Sequence, residues 1–232
     1  RAQRGGMPTA IITGASTGLG RALAEDLSRR GWRTVVDART AAELHEAAAG
    51  WPNAEVHPGD ITDEAHRAEL VAGAGGRVDL LVLNASSLGQ VPLPPLAGYR
   101  PDELRAVLET NVVAPLRLVQ LALPALRAAA GRVLAISSDA AVEGYPGWGG
   151  YGASKAALDQ LVRVLAAEEP GVRAYAVDPG DMRTRMHAAA FPGEDISDRP
   201  APESVLPALR RLIEGSLPPG RYTAGELREV SA

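Results

Sequence analysis

The two side chains best suited to proton chemistry are Tyr151 and Lys155, four residues apart in the segment YGASK. On a helix this spacing puts both on one face, about 6 Å apart along the axis. A free phenol has a pKa of about 10, and an adjacent ammonium stabilises the phenolate and lowers that value. We therefore expect Tyr151, its pKa lowered by Lys155, to exchange a proton with an alcohol or carbonyl oxygen.

Lys155 is the single lysine in a chain with 23 arginines. Coding bias can produce such an imbalance, but the planar guanidinium of arginine does not replace a compact ammonium beside a tyrosine. Ser137 and Ser138 end the preceding predicted strand, and Asn111 begins an apolar helical stretch. A serine there can hydrogen-bond a reacting oxygen, and an asparagine can hold a water that links Lys155 to solvent.

A glycine-rich turn follows the first predicted strand, with Gly14, Gly18 and Gly20 in the segment TGASTGLG. Glycines allow the backbone to approach a pyrophosphate, and the helix that follows offers unpaired N–H groups. The same residues fit the G-x-S-x-G elbow of α/β-hydrolases, which needs several strands before it and an acid and a histidine after it. The only distant histidine, His187, falls in an irregular segment, so the pattern favours dinucleotide binding over a hydrolase or a purely structural turn.

The end of the second predicted strand bears on the choice of dinucleotide. A carboxylate there binds the ribose 2′-hydroxyl of NAD, whereas a basic group accommodates the 2′-phosphate of NADP. Asp37 and Arg39 lie on the same side of the strand, and only Arg39 is beyond its end. We predict NADP(H) as the preferred cofactor, with NAD(H) as the alternative.

Short apolar runs alternate with segments of helical periodicity along almost the whole chain. The predicted strands are Thr9–Thr13, Arg33–Ala38, Ala54–Pro58, Val78–Leu83, Arg132–Ser137, Val172–Val177 and a short one near Arg221. The predicted helices are Leu19–Arg30, Ala41–Ala49, Asp63–Ala72, Pro101–Ala129, Tyr151–Glu168 and Pro202–Glu214. The repeat predicts an α/β fold, a doubly wound Rossmann-type sheet of seven mostly parallel strands with helices on both faces.

The domain organisation predicted from this pattern is simple. We expect one dinucleotide-binding catalytic domain over residues 7–232, with residues 1–6 as an added or disordered lead and a substrate loop near residues 185–202. Ligands of such sheets bind at the carboxyl ends of the strands, which is where the glycine turn and Ser138 fall.

Together these features resemble the short-chain dehydrogenase/reductase family from Met7 to about Tyr222. The motifs that carry the resemblance are Thr13-Gly14-x-x-x-Gly18-x-Gly20, Asp60, Asn84-Ala85, Asn111, Ser138, Tyr151-x-x-x-Lys155, and Pro179-Gly180 with Thr184. The spacing from Ser138 to Tyr151 favours Ser138 over Ser137 as the catalytic serine. Two departures are Ser86, where the family usually has glycine, and the absence of a basic residue at Ser16 and Thr17, where NADP-preferring members often carry one.

The resemblance implies a role for each of these residues. Tyr151 would be the general acid/base and Ser138 would orient the substrate carbonyl. Lys155 would bind the nicotinamide ribose, and Asn111 would complete a proton relay. The implied cofactor site consists of Gly14, Ser16, Thr17, Gly18, Leu19, Gly20, Arg39, Asp60, Ile61, Asn84, Ala85, Tyr151, Lys155, Pro179, Gly180, Met182 and Thr184. Within it Asp60 would contact adenine and Asn84 would lie beside the ribose; a helix cap and a turn residue are the alternatives.

The expected partner is a small molecule, a partly apolar carbonyl or alcohol whose pocket walls include Tyr145, Trp148, Met186 and Phe191. The chain has no cysteine and its four histidines lack ligand spacing, so we expect no metal. Interspersed charges, 28 acidic and 24 basic, argue against nucleic-acid and membrane partners, and no signal peptide is recognised, which predicts a cytoplasmic protein. The predicted helices Pro101–Ala129 and Tyr151–Glu168 carry more apolar surface than one buried face requires. Together with the resemblance, this surface implies a homodimer or homotetramer.

The predicted function is an NAD(P)-dependent oxidoreductase that transfers hydride between nicotinamide and a carbonyl or secondary alcohol carbon. The alternative is a non-catalytic dinucleotide-binding protein with a regulatory or partner-binding role on the same fold. A complete set of Asn111, Ser138, Tyr151 and Lys155 argues against that alternative, because binding alone does not require an acid/base tyrosine.

Overall fold

Seven parallel strands form one sheet in the order β3-β2-β1-β4-β5-β6-β7. The computed structural model describes residues 6–229, so residues 1–5 of the predicted lead lie outside the described residues, as do residues 230–232. The strands are β1 Thr9–Ile12, β2 Arg33–Ala38, β3 Ala54–Pro58, β4 Leu80–Leu83, β5 Arg132–Ile136, β6 Arg173–Asp178 and β7 Gly220–Thr223. The order reverses between β1 and β4, which confirms the predicted doubly wound sheet.

Nine α-helices accompany the sheet in the described part of the chain. They are α1 Gly18–Arg29, α2 Ala41–Ala48, α3 Glu64–Gly73, α4 Pro101–Leu108, α5 Ala114–Ala129, α6 Gly149–Glu168, α7 Arg185–Ala190, α8 Leu206–Glu214 and α9 Ala224–Glu229. The stretch predicted as one helix from Pro101 to Ala129 is interrupted by a π-helical turn at Glu109–Val113. The segment expected to be irregular begins with α7, whose first turn is capped by Thr184.

The helices cover both faces of the sheet, as predicted, and each face has its own apolar core. Adjacent residues of β1 alternate between the two cores: Ile11 packs with α3, α5 and α6, and Ile12 packs with α1, α2 and α8. Because both faces are covered, the strands are rich in Val, Ile and Leu on both sides. The cores hold the carboxyl ends of the central strands in place beneath the site.

The stretch Pro101–Ala129 is the one helical segment among the described residues that is long and apolar enough to cross a membrane by length and composition, and an 18-residue window within it has a mean hydropathy of 1.4. Leu118 and Leu126 of α5 are fully buried against the sheet. Its apolar face therefore contributes to the core of this fold.

Candidate active site

A cavity of about 980 Å³ runs along the carboxyl edge of the sheet. It is bounded by the glycine turn, by the residues that follow β2, β4, β5 and β6, and by α6 and α7. The predicted site residues that line it are Gly14, Ser16, Thr17, Gly18, Leu19, Arg39, Asp60, Ile61, Asn84, Ala85, Ser138, Tyr151, Lys155, Pro179, Gly180, Met182 and Thr184. Gly20 and Asn111 are not among the lining residues.

The glycine turn has a backbone conformation and a close packing that side chains at its glycine positions would disturb. Gly14 and Gly18 have φ values of +68° and +58°, the left-handed region that favours glycine. A Cβ at Gly20 would lie 2.3 Å from the Gly14 carbonyl oxygen and 2.4 Å from Asn84 Nδ2. Gly20 thus allows α1 to pack closely on the turn. The open backbone beside the start of α1 fits the pyrophosphate of a dinucleotide.

Two polar side chains hold this turn against the end of β4. Asn84 Nδ2 donates to the carbonyl oxygens of Thr13 at 2.8 Å and Gly14 at 3.1 Å. Thr13 Oγ1 accepts the backbone N–H groups of Asn84 and Ala85, each at 3.0 Å. The Asn84 Nδ2 group is therefore occupied in bracing the turn. Thr13 shares this role, which was not predicted although the residue stands within the quoted motif.

Asp37 and Arg39 have different environments at the end of β2. Asp37 is buried, and its Oδ1 accepts the Gly14 N–H at 2.8 Å while its Oδ2 lies 3.2 Å from His66 Nε2. The hydrogen bond that the His66 ring donates to the Asp37 carboxylate raises the pKa of His66. Arg39 is exposed and lines the cavity. Both residues line the cavity, but the Asp37 carboxylate is engaged by the turn and by His66, whereas Arg39 is exposed.

Asp60, after β3, also lines the cavity but bonds locally. Its Oδ1 accepts the backbone N–H of Thr62 at 2.9 Å and the Thr62 hydroxyl at 2.8 Å. The backbone hydrogen bond from Thr62 is the largest influence that lowers the pKa of Asp60, and the positive charge of Arg39 adds to it. The helix cap that follows is Asp63, so Asp60 does not cap α3 itself.

Tyr151 and Lys155 are both buried on α6, with Lys155 Nζ 5.4 Å from the centre of the Tyr151 ring. The ammonium donates to the Ile136 carbonyl oxygen at 2.8 Å, and burial lowers the pKa of Lys155 to about 8. Burial raises the pKa of Tyr151 to about 12, although the nearby hydroxyls of Ser86 and Ser138 oppose that rise. The Tyr151 pKa is therefore raised and not lowered as expected, because the effect of burial outweighs that of the neighbouring groups.

Ser138 is held at both its hydroxyl and its carbonyl. Its Oγ donates to Asp139 Oδ1 at 2.9 Å and accepts the Ala140 N–H at 3.2 Å. Its carbonyl oxygen accepts a hydrogen bond from Arg221 Nη2 at 3.0 Å. Asp139 also accepts the Tyr145 hydroxyl at 3.1 Å. Asp139 and Arg221 were not predicted to take part in the site.

Asn111 lies buried in the π-helical turn and forms hydrogen bonds through both ends of its amide. Its Oδ1 accepts the Ser87 N–H at 2.8 Å, while Nδ2 donates to the Ser87 carbonyl and to Ser154 Oγ, both at 2.9 Å. The side chain therefore joins the loop after β4 to α6, next to Tyr151 and Lys155. Its relay role stays a prediction.

An aromatic wall extends from Tyr151 to the start of the predicted substrate loop. The Trp148 ring packs edge-on against Tyr151 at 5.6 Å and tilted against Phe191 at 5.7 Å. His187 stacks on Phe191 at 4.8 Å. Trp148, Met186 and Phe191 line the cavity with Tyr145, as the sequence predicts. This end of the cavity can take an apolar, ring-bearing molecule beside the tyrosine hydroxyl.

Comparisons with known proteins agree on one family. The family model described as short chain dehydrogenase matches residues 8–195. An uncharacterised oxidoreductase of Escherichia coli, YciK, is 31% identical over 88% of this chain and 84% of its own. An Escherichia coli structure described as a short chain dehydrogenase with NADPH has a TM-score of 0.85 and 28% identity, covering 94% of this chain and 96% of its own. An alcohol dehydrogenase of Thermococcus sibiricus, solved with 5-hydroxy-NADP, has a TM-score of 0.82 and 27% identity over 94% and 96%.

Proposed function

The chain belongs to the short chain dehydrogenase family of oxidoreductases, and on that premise we propose that it is an NADPH-dependent carbonyl reductase. The nicotinamide, when bound, supplies the hydride that is added to the carbonyl carbon. The observation that carries the proposal is the Tyr151 hydroxyl, buried in the cavity beside Ser138 and next to the aromatic wall.

The protonation state of Tyr151 at neutral pH suits the role of general acid in carbonyl reduction. Burial raises the pKa of Tyr151 to about 12, so its hydroxyl is protonated throughout the neutral range. A protonated phenol can donate to the carbonyl oxygen as negative charge develops there. Tyr151 thus moves its proton to the substrate oxygen, which becomes the alcohol hydroxyl.

The other residues of the site bind and orient. Ser138 holds the carbonyl oxygen near Tyr151, and the aromatic wall excludes water and fixes the substituents of the substrate. The ammonium of Lys155 would bind the nicotinamide ribose, and Asn111 keeps α6 in place through Ser154. Pro179, Gly180, Met182 and Thr184 line the cavity and would flank the carboxamide of the cofactor. Asp60 and Ile61 also line it and would lie beside the adenine.

The preference for NADPH rests on the end of β2. Arg39 is exposed at the cavity, and Asp37, which would favour NAD, is bonded to Gly14 and His66. The solved relatives from Escherichia coli and Thermococcus sibiricus hold NADPH and 5-hydroxy-NADP. NAD(H) is the second candidate. We also propose that the protein forms a homo-oligomer and is located in the cytoplasm.

Replacement of Arg39 by alanine is expected to weaken NADPH binding about tenfold, since a charge-assisted bond to the 2′-phosphate is lost. NADH affinity should change less than about threefold, and fluorescence titrations with both cofactors measure the two effects. Arg29→Ala is the matched control, because Arg29 is an exposed arginine paired with Glu25 outside the cavity. An NADPH-to-NADH preference equal to that of the wild type would contradict the assignment of Arg39.

Turnover is tested by following the absorbance of NADPH with a panel of ketones. We expect consumption, with kcat/KM about tenfold higher for aryl alkyl ketones than for aliphatic ketones of equal size, because Trp148 and Phe191 can pack on a ring. The reverse reaction is assayed with the matching secondary alcohols and NADP⁺. A protein that binds NADPH but turns over no member of either panel would favour the non-catalytic alternative.

A further inference from the structure

Arg221, in the edge strand β7, contacts three parts of the carboxyl edge of the sheet. Its Nε donates to Asp159 Oδ2 at 2.9 Å, and its Nη2 donates to the Ser138 carbonyl oxygen at 3.0 Å. The same Nη2 lies 3.7 Å from Asp178 Oδ2. Arg221 stands beyond residues 8–195, the part of the chain that the family model matches. One guanidinium therefore joins β7 to α6 and to the ends of β5 and β6.

Asp159 is a buried carboxylate, with 7% of its side chain exposed. Its Oδ1 has no hydrogen-bond partner among the described residues, and Arg221 supplies the hydrogen bond to Oδ2. Asp159 follows Lys155 by four residues, on the same face of α6. Its charge opposes the effect of burial on the Lys155 pKa, so the two groups interact. A buried carboxylate without a partner is strongly disfavoured, which makes its pairing with Arg221 consequential.

Loss of Arg221 would leave Lys155 as the cation one helical turn from Asp159. The ammonium now donates to Ile136, two residues before Ser138 and within the cavity. An unpaired Asp159 carboxylate would attract that ammonium along the helix face. At the same time the Ser138 carbonyl would lose its donor. Both effects displace groups that the proposed function requires.

We propose that Arg221 is a positioning residue, which keeps Asp159 from competing for Lys155 and fixes the main chain at Ser138. Lys155 thereby stays available to the cofactor ribose, and Ser138 stays aligned with the substrate oxygen. This inference rests on the proposed function, because it assigns Arg221 a task at the same site. Loss of Arg221 should have two separable effects: weaker cofactor binding, through Asp159, and slower catalysis, through Ser138.

The test compares wild type, Arg221→Met, and Arg221→Met combined with Asp159→Asn. Fluorescence titration gives the NADPH affinity. Steady-state kinetics give kcat and KM for a ketone that the wild-type enzyme reduces. We expect Arg221→Met to weaken NADPH binding about tenfold and to lower kcat about tenfold, with ketone KM within about threefold. Adding Asp159→Asn should restore NADPH affinity to within about threefold of wild type, because the competing charge is gone. In that double variant kcat should stay low, because Ser138 still lacks its donor.

Arg210→Met is the matched control, since Arg210 forms a similar half-buried pair with Asp26, at 2.9 and 3.0 Å, between α8 and α1. It should lower the melting temperature and leave NADPH affinity unchanged. The proposal is overturned if Arg221→Met matches this control, or if Asp159→Asn restores no affinity. If Arg221→Met does not fold, Arg221→Lys with and without Asp159→Asn decides by the same criterion. The NADPH titration needs no turnover, so a wild type that binds NADPH but reduces no ketone defeats the proposed function and not this arm.

Discussion

Tyr151→Phe is expected to lower kcat for carbonyl reduction by about 10²- to 10⁴-fold, the range for loss of a positioned general acid. The variant keeps the ring that packs against Trp148 and loses only the hydroxyl beside Ser86 and Ser138. NADPH affinity should therefore stay within about threefold of wild type. Single-turnover absorbance measurements at saturating NADPH separate the loss in chemistry from any loss in binding.

The control for this variant is Tyr175→Phe. Tyr175 is also buried, and its hydroxyl donates to the Leu217 carbonyl oxygen at 2.8 Å, outside the cavity. Its loss should reduce the free energy of unfolding by about 1 kcal/mol and leave kcat unchanged. Turnover of Tyr151→Phe within tenfold of wild type would show that another group supplies the proton.

Lys155→Met should have two opposite effects: a more stable protein and a loss of NADPH affinity and kcat of at least tenfold. The ammonium is fully buried, and its pKa of about 8 is below the unfolded value near 10.5. Its charge therefore costs stability below about pH 8, and this cost disappears as pH rises towards the unfolded pKa. Methionine removes that cost but also the bond to Ile136, so the expected gain at pH 7 is about 1–3 kcal/mol.

Thermal melts across pH measure this gain, which corresponds to a rise in Tm of about 2–12 °C for a chain of this size. The increase should be largest near neutral pH and vanish above about pH 10. Lys155→Arg is the informative comparison: it keeps the charge, but a larger guanidinium fits neither the buried position nor the ribose. We expect that variant to lose both stability and turnover. A Lys155→Arg enzyme with normal kcat would refute the requirement for an ammonium.

Much of the fold was predictable because its signals are local. Strands covered on both faces are continuous apolar runs, and the boundaries of β2 and β3 agree with the prediction. The glycine turn joins β1 directly to α1, and the Tyr151–Lys155 pair lies within α6, so short-range spacing alone predicts both motifs. The π-helical turn at Glu109–Val113 has no such signal, because its apolar pattern continues that of the flanking helices.

The electrostatics of the site could not be predicted in the same way. A helical spacing of four residues says that Tyr151 and Lys155 are neighbours, but not that both are buried. Burial moves the pKa values of Tyr151 up and Lys155 down, against the effect expected from their proximity. The roles of Asp37 and Arg221 depend on partners 23 and 62 residues away, which no local pattern reports.

The position of β7 also has a consequence for how the enzyme is made. This strand is synthesised after every residue that lines the cavity. A nascent chain that ends before it would carry the glycine turn and the catalytic group, yet leave the edge of β6 open and Asp159 without its guanidinium. Such an edge can pair with other chains, so the interval before β7 docks is a window for misassembly. Completion of the sheet and of the active site thus both wait for the synthesis of β7.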